Sequence, residues 1–192
     1  MSKMLLSVLA GVATLTLSMT ANASGETYEL DPAHTYPYFS INHLGFSTLR
    51  GRFNTTSGVI TMDKAKNTGT VEIEIDVSSI DTAHAKRDEH LRGPDFFNAA
   101  EFPKMTYKST KVAIKGDNSA KVEGNLTIMG VTKPVTLNVD NISCGVHPFN
   151  KKEVCGFNAT ATIKRSDFGI KYGLPAIGDE VTMYIEAEGF KK

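Results

Sequence analysis

The segment Ser78–Pro103, SSIDTAHAKRDEHLRGPDFFNAAEFP, is the one long stretch after residue 24 that lacks the alternation of a β-strand. Asp81 or Thr82 can begin a helix, because either side chain can accept a hydrogen bond from a free N–H of the first turn. Gly93-Pro94 should end it, because glycine suits a left-handed C-terminal position and proline cannot continue a helix. The segment therefore predicts a short helix that starts at Thr82 and ends by Leu91.

The predicted helix is highly charged, and Phe96, Phe97 and Phe102 follow it closely. A helix with so little apolar surface cannot form a core by itself, so it must rest on a surface that strands supply. Two compatible interpretations follow for the segment over about residues 82–98. One is a crossover that plugs one end of a packed β-barrel. The other is a lid whose phenylalanines stand at the mouth of a ligand cavity.

The clearest strand in the sequence is Thr70–Val77, TVEIEIDV, in which apolar and acidic residues alternate. Because successive side chains of a strand point to opposite faces, Ile73 and Ile75 should face an apolar interior together with Val71 and Val77. The acidic residues should face water; they are Glu72, Glu74 and Asp76.

The whole chain after residue 24 predicts eight or nine antiparallel strands with short turns and no βαβ rhythm. One of them, Thr48–Met62, is long, and Gly51 and Gly58 are predicted to be its kinks. Long strands with glycine bends favour a closed barrel over a sandwich. A barrel of about eight strands has room for a packed core or one small ligand. Inward-facing alanines and valines, and the absence of Trp, favour an unfilled interior and leave a packed interior open.

Residues 1–23 are predicted to be a secretory signal peptide that is removed from the mature chain. Lys3 precedes an apolar run over residues 4–17, and Ala21-Asn22-Ala23 forms a cleavage site. The mature chain, 24–192, is predicted to be a single domain without a transmembrane segment, because no later apolar run approaches roughly 20 residues. The complete sequence carries 21 basic and 21 acidic residues. This balance argues against nucleic-acid binding, which requires a basic surface, and we expect a periplasmic protein.

Cys144 and Cys155 flank the sequence CGVHPFNKKEVC, which is typical of a hairpin tip. An exported protein with two cysteines usually pairs them. We therefore predict a structural disulfide, with free or metal-binding thiols as the alternative.

Catalytic and metal-binding motifs are absent from the sequence, including GxSxG, HExxH and the Walker loop. His84 and His90 are six residues apart, whereas a helical metal pair would need a spacing of four. We predict no metal and no cofactor, a hydrogen bond from His43 inside the barrel, and surface or capping positions for the remaining histidines. The charged residues of the predicted helix, among them Arg87 and Asp88, are interpreted as a solvated face with local ion pairs.

Five blocks of the mature chain resemble the YceI family, and they occur in the order that is found in the family. The third matches the RDxHLRSxDFF signature and the last two match GxLTxxGVTKPV; the blocks are His34–Gly45, Gly51–Gly58, Arg87–Phe97, Gly124–Thr127 and Gly130–Val135. The chain departs from the family pattern at Gly93-Pro94, at Met129, at Tyr36-Pro37-Tyr38 and in its cysteine pair.

The resemblance implies an all-β, lipocalin-like, extended antiparallel β-barrel of about eight strands with a short helical lid or crossover. It also implies an exported, often dimeric protein without catalytic residues. Its ligand would be a long-chain isoprenoid or other amphiphilic lipid, such as a polyprenyl phosphate or a ubiquinone-like molecule, held in the barrel.

The candidate cavity-lining residues are those predicted to point inward: Phe39, Ile41, His43, Phe53, Ile73, Ile75, Leu91, Phe96, Phe97, Phe102, Leu126, Val135, Leu137, Phe157, Ile163, Met183 and Ile185. Candidates for contact with a lipid head group are Tyr38, Arg92 and Tyr107, with His43 beside them. Three functions remain open at this stage. They are a non-catalytic lipid carrier, an enzyme that acts on a lipid-like substrate with His43 and a nearby acid, and an interaction protein with a packed barrel.

Overall fold

The structure, a computed structural model, describes residues 25–192, so the predicted signal peptide and its cleavage site lie outside the described residues. The strands are β1 Glu26–Leu30, β2 Tyr36–His43, β3 Ser47–Phe53, β4 Thr56–Asp63, β5 Thr68–Asp76, β6 Ile80–Asp81, β7 Lys104–Lys115, β8 Ser119–Ile128, β9 Val131–Val146, β10 Glu153–Lys164 and β11 Ile177–Lys191. The α-helix of this part of the chain is α1 Ala85–Arg92, and two 3₁₀ turns span Val77–Ser79 and Arg165–Phe168.

Eight of these strands form a closed antiparallel barrel in the order β1-β4-β5-β7-β8-β9-β10-β11. The ring closes where β1 pairs with the end of β11, with Tyr28 opposite Lys191 and Leu30 opposite Gly189. The predicted all-β barrel of about eight strands is therefore confirmed.

One edge of β11 pairs with β10, whereas the other edge pairs with two different strands. Its end pairs with β1, whereas Ile177–Glu186 pairs with β2. Strands β3 and β6 continue the sheet beyond β2, with Phe53 opposite Ile80. Strands β2, β3 and β6 thus form a flap that extends the barrel wall at one end.

Strand β5 has the predicted register. Val71, Ile73 and Ile75 line the interior, and Val77 is fully buried in the 3₁₀ turn that follows. On the outer face, Lys108 Nζ lies 2.9 Å from Glu72 Oε1. Lys104 Nζ lies 2.7 Å from Glu74 Oε1. The alternating sequence therefore separates an apolar interior from a charged exterior.

The predicted continuous strand Thr48–Met62 is wrong, because the chain leaves the sheet at Asn54-Thr55 between β3 and β4. Gly51 is not a kink but a point of close approach. A Cβ at this position would lie 2.5 Å from Cζ of Phe39 and 2.8 Å from Cγ2 of Thr82. Glycine here lets the flap strand pack directly under the chain that leads into α1.

The start of the helix also differs from the prediction. Ala83 has a φ of 59°, which is not helical, so neither Asp81 nor Thr82 can be the capping residue. The cap is His84, whose Nδ1 accepts a hydrogen bond from the Arg87 amide at 3.2 Å. Gly93 has a φ of −75°, so the predicted left-handed end is wrong as well.

One end of the barrel collects most of the irregular structure. The antiparallel order of the strands places the β2–β3 turn, α1, segment 93–103, the β8–β9 turn and segment 165–176 together at this end. We call it the mouth. The opposite end carries the β4–β5, β7–β8 and β9–β10 connections. Cys144 and Cys155 are directly opposite each other on β9 and β10 and form the predicted disulfide near that end.

Within residues 25–192, no helix has the length and apolar character needed to cross a bilayer.

Candidate functional site

The barrel contains a cavity of about 400 Å³ whose walls are almost entirely apolar. The lining residues come from the inner faces of the barrel strands, from the flap and from the segment around α1. This volume lies within the range of small-molecule sites, roughly 300–1,000 Å³. One of the three functions considered above was an interaction protein with a packed barrel. A fully packed barrel is inconsistent with such a cavity.

Most predicted lining residues do line the cavity, and they are Phe39, Ile41, His43, Phe53, Ile73, Ile75, Leu91, Phe96, Phe97, Leu126, Leu137, Phe157, Ile163, Met183 and Ile185. Two do not. Phe102 packs outside, where its ring covers Gly130 in the β8–β9 turn. Val135 is buried in the core without reaching the cavity.

The sequence analysis missed further apolar lining residues, because their strands were assigned no inward face or were taken as loops. Examples are Leu30, Leu49, Ile60, Met62, Met105, Ile114, Val122, Ile170 and Ile177. The alternation in β4 and β8 could have identified Ile60 and Val122, whereas nothing in the local sequence marks Ile177 as an inward-facing residue.

Of the head-group candidates, Tyr38 and Tyr107 line the cavity and Arg92 does not. The Tyr107 hydroxyl is buried and donates to the carbonyl oxygens of Val122 at 3.0 Å and Val135 at 3.1 Å. Burial raises the pKa of this phenol, so it stays a neutral donor to the backbone. Gly124 makes room for the ring, since a Cβ there would lie 2.5 Å from Tyr107 Cζ. Tyr107 is thus a wall residue already bonded to the barrel.

Thr56 introduces a polar atom that the barrel itself leaves unpaired. The residue is 2% exposed and lines the cavity, and its Oγ1 has no hydrogen-bond partner among the described residues. Buried hydroxyl groups nearly always have a partner, because an unmade hydrogen bond is costly. A bound molecule with a polar atom at this depth would satisfy it.

A second polar feature lies on α1, where the sequence analysis expected only a solvated face. Asp88 is buried and accepts hydrogen bonds from the amide of Thr82 at 2.9 Å and from the Thr82 hydroxyl. Arg87 in turn donates from Nε to Thr82 Oγ1 at 2.7 Å and from Nη2 to the Thr82 carbonyl oxygen at 2.6 Å. The three residues form one network that holds the Arg87 side chain against the cavity.

Arg87 is a cation without a counter-charge. No carboxylate of residues 25–192 lies within 4 Å of its guanidinium nitrogens. Its Nη1 makes no hydrogen bond in the described part of the chain. A half-buried guanidinium beside apolar walls attracts an acceptor oxygen or an anion. Arg87, and not the predicted Arg92, therefore offers the cavity a charged contact.

Three aromatic rings close together at the mouth. The ring of His90 lies 5.0 Å from that of Phe96 and 5.1 Å from that of Tyr172, and Phe96 and Tyr172 are 5.2 Å apart. His90 Nε2 also lies 2.9 Å from Asp95 Oδ2. Deeper in the barrel, Phe97 packs edge-on against Phe53 at 5.7 Å. The lid interpretation suits Phe96, whereas Phe97 joins the lid to the core.

The Tyr172 side of the mouth is held by a buried arginine. Arg165 donates to the carbonyl oxygens of Gly178 at 2.8 Å, Tyr172 at 2.9 Å, Ile177 at 3.1 Å and Ile170 at 3.2 Å. Burial lowers the pKa of this guanidinium, and the carbonyl dipoles compensate its charge. Arg165 thereby fixes the shape of segment 170–178 beside the cavity.

The histidines offer no catalytic pair. His43 lines the cavity, but its ring makes no hydrogen bond or ion pair within residues 25–192, so the predicted internal hydrogen bond is wrong. His84 and His147 cap local backbone turns, and His34 pairs with Asp31 at 2.7 Å on the outside. The described residues contain no cluster of His, Cys, Asp and Glu side chains that could hold a metal ion.

Comparison with known proteins agrees with this architecture. The YceI-like domain matches the chain over residues 28–189. The chain belongs to the YceI family. A UPF0312 protein of Shewanella sp. (strain W3-18-1) is 40% identical over 193 residues, with all of both chains covered. A UPF0312 protein of Pseudomonas aeruginosa (strain LESB58) is 41% identical, with 98% of this chain and 100% of the relative covered.

Several solved structures share the barrel. Burkholderia cenocepacia BcnA superposes with a TM-score of 0.74 at 27% identity, covering 83% of this chain and 98% of that one. A Campylobacter jejuni YceI protein superposes with a TM-score of 0.66 at 29% identity over 94% of this chain and 99% of that one. A domain from Saccharophagus degradans, described as polyisoprenoid-binding, has a TM-score of 0.63 at 18% identity. It covers 86% of this chain and 98% of that one, and this likeness concerns the fold.

Proposed function

We propose that this protein binds one long-chain amphiphile in its barrel cavity, carries or sequesters it in the periplasm, and performs no chemistry on it. The observation that carries the proposal is the apolar cavity of about 400 Å³. An isoprenoid tail is insoluble in water and flexible enough to adapt to the shape of such a cavity. The polyisoprenoid-binding description of the Saccharophagus degradans domain, which has the same fold, supports this ligand class.

The energetics of tail burial suit such a role. Removing apolar surface from water contributes about 25 cal/mol per Å². A tail that buries roughly 300 Å² would gain about 7.5 kcal/mol before the costs of association. A micromolar complex has a binding free energy of about 8 kcal/mol. Because association itself costs several kcal/mol, burial of the tail is a large favourable contribution, and polar contacts must add to it and supply the specificity.

We place the head group of the ligand beside Arg87. A polyprenyl phosphate or a quinone presents acceptor oxygens, which suit a guanidinium with a free Nη1 and no carboxylate partner. Tyr38 and His43 line the same cavity and can add donors at its mouth. Thr56 Oγ1 provides a further hydrogen bond inside the wall.

Catalysis receives no support from the described residues. The enzyme hypothesis requires an acid near His43, and no carboxylate within residues 25–192 lies within 4 Å of that ring. We therefore propose binding without turnover.

The periplasm is the proposed location because a Cys144–Cys155 disulfide persists in oxidising compartments. The predicted signal peptide agrees with it. We expect the protein from its native source to begin at Ser24, and intact-mass measurement of that protein tests the cleavage site. A homodimer is a further expectation from the family resemblance, and light scattering would measure it.

The direct test of binding is native mass spectrometry of protein purified without detergent, followed by identification of the bound lipid. A cavity-filling variant makes the test specific. Ala159→Phe places a ring in the cavity, whereas Thr162→Phe places the same ring on the outer face of β10. We expect Ala159→Phe to retain little isoprenoid and Thr162→Phe to retain the wild-type amount. Equal retention by the two folded variants would contradict binding in the cavity.

A further inference from the structure

The tip of the β2–β3 hairpin exposes two large apolar side chains at the mouth of the barrel. Phe46 is 90% exposed and Leu44 is 46% exposed. Single exposed apolar residues are common on protein surfaces and need no explanation by themselves. Here, however, three further observations indicate a functional role for these two residues: the backbone of the tip, the neighbouring charges and the position of the cavity.

The backbone of the tip does not favour leucine. Leu44 has a φ of 57° and Gly45 has a φ of 76°, as in the tight turns that usually contain Asn, Asp or Gly. The turn is held by a hydrogen bond from the Phe46 amide to the His43 carbonyl oxygen at 3.1 Å. The side chain of Asn42 accepts a second one from the Gly45 amide at 2.9 Å. The conformation of the turn therefore disfavours leucine at position 44. Packing does not explain the leucine either, because its side chain is exposed.

The β2–β3 hairpin carries basic charges only, and the acidic residues beside it, Asp179 and Glu180, belong to β11. Residues 42–53 contain two arginines and no acidic residue. Arg50 is exposed and has no carboxylate within 4 Å in the described part of the chain. Lys171 and Tyr172 are exposed on the neighbouring segment of the mouth. Apolar side chains flanked by basic ones suit the surface of an anionic lipid bilayer. A symmetric hairpin-to-hairpin contact between two copies would instead bring the arginines of the two hairpins together.

The tip is continuous with the cavity. His43, the last residue of β2, and Leu49 of β3 both line it. Ile177, which pairs with His43, lines it from β11. A lipid that leaves a bilayer beside the tip can therefore enter the barrel along this hairpin without crossing bulk water.

We propose that the tip of the β2–β3 hairpin, Leu44-Gly45-Phe46, inserts into the surface of an anionic phospholipid bilayer and turns the mouth of the barrel towards it. This inference goes beyond ligand binding, because it assigns the surface through which the ligand enters and leaves. Phe46 is the main anchor, Leu44 is the second, and Arg50 and Lys171 supply the attraction to anionic head groups.

The test is sedimentation of the exported protein with vesicles of phosphatidylcholine alone or mixed with phosphatidylglycerol. Phe46→Ser should weaken binding to the anionic vesicles by about tenfold or more, as expected from losing a buried ring. Phe149→Ser is the matched control, because Phe149 is 89% exposed near two lysines at the opposite end of the barrel. It should bind as the wild type does.

Leu44→Asn separates membrane binding from folding. Asparagine tolerates a positive φ, so this variant should unfold at the same or a higher denaturant concentration and yet bind vesicles more weakly. Equal vesicle binding by Phe46→Ser and Phe149→Ser would overturn the proposal. So would equal binding to neutral and anionic vesicles, or a change of oligomeric state in Phe46→Ser with vesicle binding retained.

The vesicle experiment can succeed or fail whether or not the cavity binds a lipid. If Ala159→Phe and the wild type retain equal amounts of isoprenoid while Phe46→Ser loses vesicle binding, lipid binding in the cavity fails and membrane docking stands. If Phe46→Ser binds vesicles as the wild type does, docking fails whatever the cavity holds.

Discussion

The rings of Phe96 and Tyr172 lie 5.2 Å apart, so the segment after α1 directly contacts the connection between β10 and β11. The two residues approach the mouth of the barrel from different elements. An aromatic pair of this kind contributes about 0.5–1.5 kcal/mol beyond the area it buries. Separating the rings should therefore cost little compared with unfolding any barrel strand, and we expect the mouth to open there.

Replacing Phe96 and Phe97 one at a time tests which of the two residues acts in the lid and which acts in the core. Phe96→Ala should lower the free energy of unfolding by about 1 kcal/mol and accelerate release of a bound isoprenoid, because it removes the contacts with His90 and Tyr172. Phe97→Ala should cost roughly 2 kcal/mol or more, because Phe97 packs on the buried Phe53. Denaturant unfolding without lipid and release of a fluorescent isoprenoid measure the two effects.

Phe102→Ala provides the comparison, since Phe102 follows the same helix but lies outside the cavity over Gly130. It should leave the release rate unchanged. If Phe96→Ala lost stability and released lipid at the wild-type rate, segment 93–98 would be a plug and not a lid.

The charge of Arg87 should matter for the head group and not for the tail. Arg87→Met should weaken binding of an isoprenoid phosphate by about tenfold or more, because a hydrogen bond to a charged group is worth about 1.5–3 kcal/mol. Binding of the corresponding isoprenoid alcohol should change much less. Arg92→Met, on the same helix but away from the cavity, is the control. Equal losses for phosphate and alcohol, or equal effects of the two variants, would contradict a head-group site at Arg87.

The register of β5 predicts opposite effects for adjacent positions. Ile75→Asp would place a carboxylate in the apolar cavity wall and should destabilise the protein by about 3 kcal/mol or more. Glu74→Ala removes an exposed ion pair with Lys104 and should cost less than about 1 kcal/mol. Urea unfolding of the two variants measures the difference. Similar losses would mean that Ile75 does not face the interior.

Asp179 should link stability to pH. Its carboxylate accepts hydrogen bonds from the amide and the hydroxyl of Ser166 at 2.9 and 2.8 Å, and these hold its pKa below the ordinary value. A carboxyl with a lowered folded-state pKa stabilises the fold above its unfolded pKa, about 3.9, and loses that contribution as pH falls through the folded value. Asp179→Asn should therefore be less stable than the wild type at neutral pH, and the gap should narrow in acid.

Unfolding of both proteins from pH 7 down to about pH 2 measures this gap. A constant difference at every pH would show that Asp179 acts through packing and not through its charge.

The barrel wall was largely predictable from sequence because strand alternation is local. In β5, glutamates at every second position leave Ile73 and Ile75 with one possible face. The flap was not predictable, since it depends on which part of β11 pairs with β2 and which with β1. Alternation assigns a face to a residue, but it does not choose a partner for a strand edge.

The sequence contains a signal that distinguishes Arg87, the proposed head-group contact, from the predicted Arg92. Leu91 is the large apolar residue of α1, and Arg87 precedes it by four positions, so both lie on one face of the helix. Arg92 is rotated about 100° away from Leu91. The buried Asp88 could not be found this way, because its burial depends on Thr82 folding back onto the helix after the positive φ of Ala83.

The seam of the barrel joins the two ends of the described chain. Tyr28 pairs with Lys191, and Lys191 Nζ donates to Glu26 Oε1 at 2.7 Å across 165 positions of sequence. During synthesis in the N-to-C direction, β1 is made first and cannot pair with β11 until the end of the chain is made. Until then the growing sheet has two open edges, which can pair with other chains. Because the closing contacts are so distant in sequence, we expect the barrel to close late in folding. A chaperone that covers β1 would thus protect this protein at its most vulnerable stage.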